Sequence, residues 1–435
     1  MFKFPPGHGC LKEVEKIHYA RLSSKYVKKN NLLILFIIVF LDLMGIGIMI
    51  PVLAPMMLDP ASTLVPALWT EATRNIALGV LVAAYPLAQF FGAPILGTLS
   101  DRHGRKKMLI ISLIGTLIGY LLFAVGLLTG QLWLLYFSRA LDGFTGGNIG
   151  VANSAIADMS TENNRAKNFG LIGMAFGFGF VIGPSLGGLL ANPDVVSWFS
   201  SATPFYFAAF LSVLSLSLLT FFFQETLREP SHQRVHLLLG FSHVKKSFKM
   251  ADLRTIFLVV FLHTLGFCFY AQFMPVFLVQ KFAMTTTQIG MLFGFVGIWI
   301  ALSQGLFTRI AARYFRSEQV LRFSIFCLAL TLFILPFVPT AGLLYLIQPF
   351  VALFEGLTFP NTTAVVSQIA KPTEQGEAMG VTQSLRALGQ AIPSLVAGFL
   401  ITINENLAIL TGAIIILLAW GIFVIFFRKP QRSGG

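Results

Sequence analysis

Twelve apolar runs, each about as long as a bilayer is thick, leave this chain few folds to adopt. They span roughly 32–57, 75–99, 107–128, 132–156, 167–190, 204–223, 255–280, 287–308, 320–339, 342–366, 378–402 and 406–427. A spanning helix needs about 20 apolar residues, so each run can cross once. With 56% apolar and only 11% charged residues, the chain falls far short of the roughly one-quarter charged composition of soluble domains. The expected class is an all-α membrane protein with twelve transmembrane helices.

Charge distribution orients those helices. If residue 1 lies inside, 27 of the 31 Lys and Arg fall in segments on that side. Only Arg74 and Lys281 fall outside, and Arg139 and Arg386 lie within apolar runs. This asymmetry follows the positive-inside rule and places both termini in the cytoplasm. The net charge of +13 is then an orientation device, and no nucleic-acid partner is expected. The three cysteines, Cys10, Cys268 and Cys327, are widely spaced and read as apolar fillers, with no disulfide or metal site.

The polar segments divide the chain. Residues 1–31 hold seven basic residues before any apolar run, without the early 7–15-residue apolar stretch of a signal peptide. Leu11, Val14, Ile17, Leu22 and Tyr26 recur at helical spacing there, which suits a helix lying on anionic lipid. A basic tail that only fixes orientation is the other reading. Residues 224–254 form a central cytoplasmic loop, within which 236–250 suits a surface helix. Six-helix bundles are expected at 32–223 and 255–428, with a cytoplasmic tail at 429–435.

Between the second and third runs lies the turn Gly97-Thr98-Leu99-Ser100-Asp101-Arg102-His103-Gly104-Arg105-Lys106-Lys107. So short a turn makes the two helices antiparallel neighbours, and Gly97 is expected to let their backbones approach. A shift of 208 residues lays Gly305-Leu306-Phe307-Thr308-Arg309-Ile310-Ala311-Ala312-Arg313 over it, with Arg309 in place of Asp101. The repeat suggests two pseudo-symmetric halves with binding near their midplane interface.

The turn resembles the G-x-L-S-D-R-x-G-R-K signature of the major facilitator superfamily. Further stretches strengthen the resemblance: Leu41-Asp42 to Leu53, Tyr85-Pro86-Leu87-Ala88-Gln89-Phe90, Arg139-Ala140-Leu141-Asp142-Gly143, and Gly179-Phe180-Val181-Ile182-Gly183-Pro184-Ser185-Leu186-Gly187-Gly188. They are similar to the drug:proton antiporter branch, above all its tetracycline-exporter-like members. The match runs from about residue 32 to 428 and is strongest in the first half. Asp142 departs from the pattern, which usually has an uncharged residue there.

The resemblance implies two pseudo-symmetric six-helix bundles. It makes Gly97, Asp101, Arg102, Gly104, Arg105 and Lys106 a conformational latch that breaks as the halves rock. Gly179, Gly183, Pro184, Gly187 and Gly188 become the antiporter motif at the sliding interface between halves. The bland readings are a turn that only sets topology and small residues that only allow close packing.

Charges within the apolar runs are the best functional evidence, because each costs a few kcal/mol or more at mid-bilayer unless paired or wet. Helical rise places Asp42, Arg139 and Asp142 at a common depth, and Glu355 and Arg386 nearer the cytoplasmic face. If Glu355 and Arg386 pair, the first three leave one carboxylate without a cation. A carboxylate short of water and of a cation holds a proton more readily, as a proton carrier must. Asp42 or Asp142 is therefore the expected proton site, tuned by Arg139; a static triad sharing Arg139 is the alternative. Glu355 and His263 complete the proton-coupling candidates, histidine changing charge near neutral pH.

Candidate cavity residues are Gln89, Asn153, Phe267, Tyr270, Thr358, Phe359 and Arg386, with Trp299 a further aromatic. The chain lacks a phosphate-binding G-x-x-x-x-G-K-[ST] loop, a metal cluster and a nucleophile–base pair. It reads as a non-enzyme without cofactors: a proton-coupled transporter of a small molecule, in contact with membrane lipids, monomeric, in the inner membrane. Efflux is the first expectation. Proton-driven import of a polar or anionic metabolite or siderophore is the second, and a transporter-like sensor the third.

Overall fold

The computed structural model describes residues 8–59, 62, 64–66, 68–160, 165–227, 242, 245, 247, 249–250, 252–370 and 375–427. The sequence-based surface helix at 236–250 falls mostly outside these residues, as do His232, His236 and His243.

All twelve apolar runs are helical, and no strand occurs among the described residues. In chain order the helices are α1 (His8–Leu58), α2 (Glu71–His103), α3 (Arg105–Thr129), α4 (Leu132–Thr145 and Asn148–Met159), α5 (Arg165–Leu190) and α6 (Thr203–Phe222). The second half holds α7 (Arg254–Ala271 and Met274–Phe282), α8 (Thr286–Tyr314, with a π-helical turn at Ser303–Phe307), α9 (Ser317–Ile334), α10 (Ala341–Ile369), α11 (Gln375–Ile403) and α12 (Leu407–Phe426). Ten helices among the described residues are long and apolar enough to span a membrane. In α5 the qualifying apolar piece, Gly177–Leu190, is shorter. α4 is interrupted at Gly146-Gly147. The backbone of α1 runs helically from His8 without a break, so the basic stretch continues the first spanning helix.

Lipid is as apolar as leucine, so helices here associate through close packing of small residues more than through hydrophobic contrast. A side chain at Gly119 on α3 would meet the Asp142 Cβ of α4 at 2.9 Å, and one at Gly92 on α2 would run into the Phe144 carbonyl. The two halves meet along two helix pairs, α2 with α11 and α5 with α8. These pairs exchange when α1–α6 is laid over α7–α12, as expected of a duplicated six-helix unit.

The halves touch mainly at one end. An apolar cluster containing Val52, Leu78, Phe123 and Phe205 from the first half includes Phe269, Phe273, Val276 and Ile401 from the second. Hydrogen bonds cross there too: Gln280 Nε2 donates to Glu71 Oε1 (2.8 Å), and Thr287 Oγ1 donates to the Gly188 carbonyl (3.1 Å). At the opposite end, which carries the basic turn, the buried cluster of Leu35, Leu109, Ile156 and Phe223 belongs to the first half alone. The halves are thus joined at the end remote from the basic turn, whereas among the described residues their buried clusters stay apart at the basic end.

Candidate functional site

The first-half site begins with the break in α4. Gly146 and Gly147 end one helical piece, and Asn148 opens the next. Gln89 Nε2 on α2 donates to the Gly146 carbonyl (2.9 Å), occupying a backbone group that the break releases. The Asn148 amide lies beside Asp42 of α1. One turn before the break, Arg139 Nη1 donates to Asp142 Oδ2 (3.0 Å), and Thr116 of α3 lies beside Asp142. The Arg139 guanidinium lies over the Tyr85 ring, 4.5 Å from its centroid, and contacts Met49 Sδ at 3.5 Å. Asp42, Arg139 and Asp142 are all buried. Asp142 therefore has the cation, and Asp42 has an amide. Asn148, Tyr85 and Thr116 escape a charge-based reading of the sequence because they are neutral, although the Gly146-Gly147 step does mark the break.

In the second half, His263 Nε2 on α7 lies 2.9 Å from Glu355 Oε2 on α10, both largely buried. The expected Glu355–Arg386 pairing is thus corrected: Glu355 faces α7, whereas Arg386 of α11 donates from Nη2 to Thr363 Oγ1 (3.0 Å) and lies 3.8 Å over the Phe359 ring. Phe267 stacks beside His263 and next to Tyr270.

Three other expectations also change. Tyr270 does not line an open cavity; its buried hydroxyl donates to Gln348 Oε1 of α10 (2.6 Å). Thr358 turns to α9, fully buried and bonded to Ser324 Oγ (2.8 Å). Three residues add about 300° of helical turn, so Thr358 sits about 60° round α10 from Glu355, on the α9 side. Trp299 packs edge-on against Phe295, away from the other proposed aromatics. Asn153 is half-buried on the second piece of α4.

A backbone linkage joins the Glu355 region to α8. Pro360 has no N–H to offer the Gly356 carbonyl four residues earlier, and Thr308 Oγ1 of α8 donates to it instead (3.3 Å). Ser303, at the start of the π-helical turn, donates to the Leu353 carbonyl (2.8 Å). No group of three or more potential metal-ligating side chains occurs among the described residues.

The Major Facilitator Superfamily profile matches residues 32–392 and 256–435. The chain belongs to the major facilitator superfamily. It is 34% identical over 371 residues to the class C tetracycline resistance protein of Escherichia coli, covering 83% of this chain and 87% of that one. It is 30% identical over 383 residues to multidrug resistance protein 1 of Bacillus subtilis, covering 87% and 92%. The human organic anion transporter MFSD10 superposes with a TM-score of 0.71 at 21% identity, over 91% of this chain and 99% of that one. The Escherichia coli xylose transporter XylE, in a partially occluded inward-open conformation, superposes with a TM-score of 0.74 at 15% identity, over 94% and 100%. The chain is a multi-pass membrane transporter with tetracycline-exporter-like sequence, and its relatives and fold are not those of enzymes.

The superfamily's signature turn is tied within the first half. Arg105, buried, bonds Asp101, Ser100 Oγ (2.7 Å) and Asp158 Oδ2 at the end of α4 (3.0 Å). Gly104 has φ +103°, a left-handed conformation suited to glycine. Glu225, just beyond α6, accepts from the backbone N–H groups of Arg105 (2.9 Å) and Lys106 (3.0 Å). This carboxylate satisfies orphan donors at the positive end of α3, and a side chain at Gly104 would run into it. Lys106 Nζ donates to the Thr220 carbonyl (2.8 Å), and Arg102 is exposed. Glu225 was missed as a functional candidate because its partners are backbone groups far away in sequence. Glu225→Ala should cost about 1–2 kcal/mol, the scale of a lost helix cap. The purified protein should show a lower unfolding temperature and faster amide exchange at residues 105 and 106.

Two glycine expectations are corrected. A side chain at Gly97 would find nothing within 4 Å, so Gly97 does not hold α2 against α3 in this conformation. In α5, Gly179, Gly183 and Gly187 face α1 of their own half: a side chain at Gly183 would meet the Met44 carbonyl at 2.7 Å, and one at Gly187 would strike the Ile48 carbonyl. Gly188 instead faces α8, where a side chain would meet the Thr286 carbonyl at 2.9 Å. The Pro184 carbonyl also lies on the α8 side, against Gly290, while its ring touches Gly47 of α1. The motif serves two interfaces because an i, i+4, i+8 stripe covers one face only.

Proposed function

We propose that this protein is a proton-coupled exporter of small amphipathic molecules that works by alternating access. The observation that carries the reading is the division of charge in the first-half site, which leaves Asp42 against an amide while Arg139 is bonded to Asp142. Asp42 is then the proton carrier, Arg139 and Asp142 tune it, and the His263–Glu355 pair offers a second coupled group. A site that exchanges one proton for one substrate molecule needs such a reversible carboxylate at the depth of the cavity.

The positive-inside count places both termini, the 1–31 extension and the 224–254 link on the cytoplasmic side of the inner membrane. On that orientation the basic end faces the cytoplasm, ready to load an export substrate. The two six-helix units, at 32–223 and 255–428, then rock about α2–α11 and α5–α8. The signature turn acts as a latch that engages when the basic end closes, bringing a partner to Gly97. Resistance proteins among the relatives support efflux over import.

The test uses purified protein in liposomes with a pH-sensitive dye inside, tetracycline as the first probe and then a panel of amphipathic drugs. Substrate added to the side with no imposed gradient should drive protons the opposite way. Movement of protons with substrate would establish import instead, and substrate movement with no proton flux in either direction would overturn the coupling.

A further inference from the structure

We infer that Arg386 and Phe359 form the anion-recognising part of the substrate site, selecting organic anions with a planar oxyanion group such as a carboxylate or ionised enol. The inference rests on the transport reading above and specifies its substrate class.

A cation inside a membrane bundle needs compensation, and the carboxylate whose charge acts on it, Glu355, bonds His263 and stays beyond ion-pair distance. Among the described residues no carboxylate lies within ion-pair distance of Arg386. Its support is neutral: the Phe359 ring 3.8 Å below the guanidinium, the Thr363 hydroxyl at 3.0 Å and the Phe359 carbonyl at 3.5 Å. Both protein hydrogen bonds use Nη2. A guanidinium lying flat on a ring keeps its remaining N–H edge in plane, a fork that matches a carboxylate at two points.

The surroundings suit a ligand. Phe359 is exposed and Arg386 half-buried. Gln383 and Gln390, about one turn to either side on α11, are exposed and half-buried. A polar stripe accessible at this depth in a membrane helix belongs to a cavity, since lipid offers polar groups no partner. Thr363 orients the guanidinium by accepting from Nη2 while donating to the Phe359 carbonyl (3.2 Å).

Binding to the purified full-length protein, at one pH and with no gradient, separates this inference from proton coupling. The probes are naphthalene-1-carboxylate, the uncharged naphthalene-1-carboxamide and the cationic 1-naphthylmethylamine, titrated calorimetrically with empty-micelle heats subtracted. The carboxylate should bind at least about tenfold tighter than the amide, the scale of a charge-assisted hydrogen bond, and the amine should bind weakest. Arg386→Gln should abolish the acid preference, and an unfolding temperature close to wild type reports that the variant is folded. Arg386→Lys should keep part of the preference, because it retains charge but loses the fork.

Equal affinities for acid and amide in the wild type, or an intact preference in Arg386→Gln, would overturn the inference. If Arg386→Gln does not fold, Thr363→Val takes its place, and an acid preference equal to wild type then counts against it. Failure of proton coupling in liposomes would leave these equilibrium preferences in place. Loss of the preferences would leave gradient-driven movement of other probes intact.

Discussion

Asp42→Asn should reduce gradient-driven accumulation to simple equilibration. A one-unit pH gradient is worth about 1.4 kcal/mol per proton, which sustains about tenfold accumulation for one-for-one exchange. The asparagine keeps the size of Asp42 beside Asn148, but it cannot carry a proton. The accumulation ratio should therefore fall from about tenfold to about one, because an uncoupled carrier moves substrate only down its own gradient. Exchange of labelled for unlabelled substrate across the liposome membrane, which needs no net proton movement, should continue. Asp142→Asn should behave differently: removing the partner of Arg139 leaves a buried cation uncompensated, so stability and exchange should fall together. If Asp42→Asn still accumulates substrate, the proton carrier is not Asp42, and the His263–Glu355 pair becomes the site to test.

The second large effect separates the two glycine interfaces. Gly187→Val places a branched side chain against the Ile48 carbonyl of α1, within one six-helix unit. Overpacking against backbone at so tight a site should cost about 3 kcal/mol or more, and the variant should be recovered in low yield with a lowered unfolding temperature. Gly297→Val acts between units, where a side chain would meet the Phe180 carbonyl at 2.5 Å and the Val181 Cα at 2.6 Å. Each unit keeps its own core there, so the protein should fold, with α8 wedged away from α5. Its conformational balance should shift and its transport should be lost. Cysteine accessibility at the end remote from the basic turn, measured on folded protein, should rise in Gly297→Val. An unchanged accessibility pattern with full transport would show that the α5–α8 contact does not control the closed end.

The architecture was largely legible in the sequence, and the site only in outline. Run length and charge asymmetry are properties of composition along the chain, so twelve helices and two halves could be read without coordinates. Depth could be read as well, because helical rise is constant: Asp42, Arg139 and Asp142 do come together. Facing direction could not. Glu355 and Arg386 are opposite charges, yet Glu355 turns to His263 and Arg386 to Phe359 and Thr363. Thr358 shows the same limit within a single helix. Residues whose partners are backbone groups were hidden for another reason. Glu225 holds the first N–H groups of α3 across about 120 residues, and any sequence there supplies an N–H. Gly97 was misread because a glycine admits a close approach without requiring one in every conformation.

The closed end has a mechanical consequence. Glycines at 188, 290, 294 and 297 bring the α5 and α8 backbones together, so the rocking proposed above would turn on a contact with little side-chain padding. A stiff rod pivoting near one end multiplies displacement at the other. Across a hydrocarbon core about 30 Å thick, a rotation of about 10° at the fulcrum moves the basic end by about 5 Å. Adjustments smaller than a single methyl group at the glycine contact thus suffice to widen or narrow the mouth by the width of a drug-like ring.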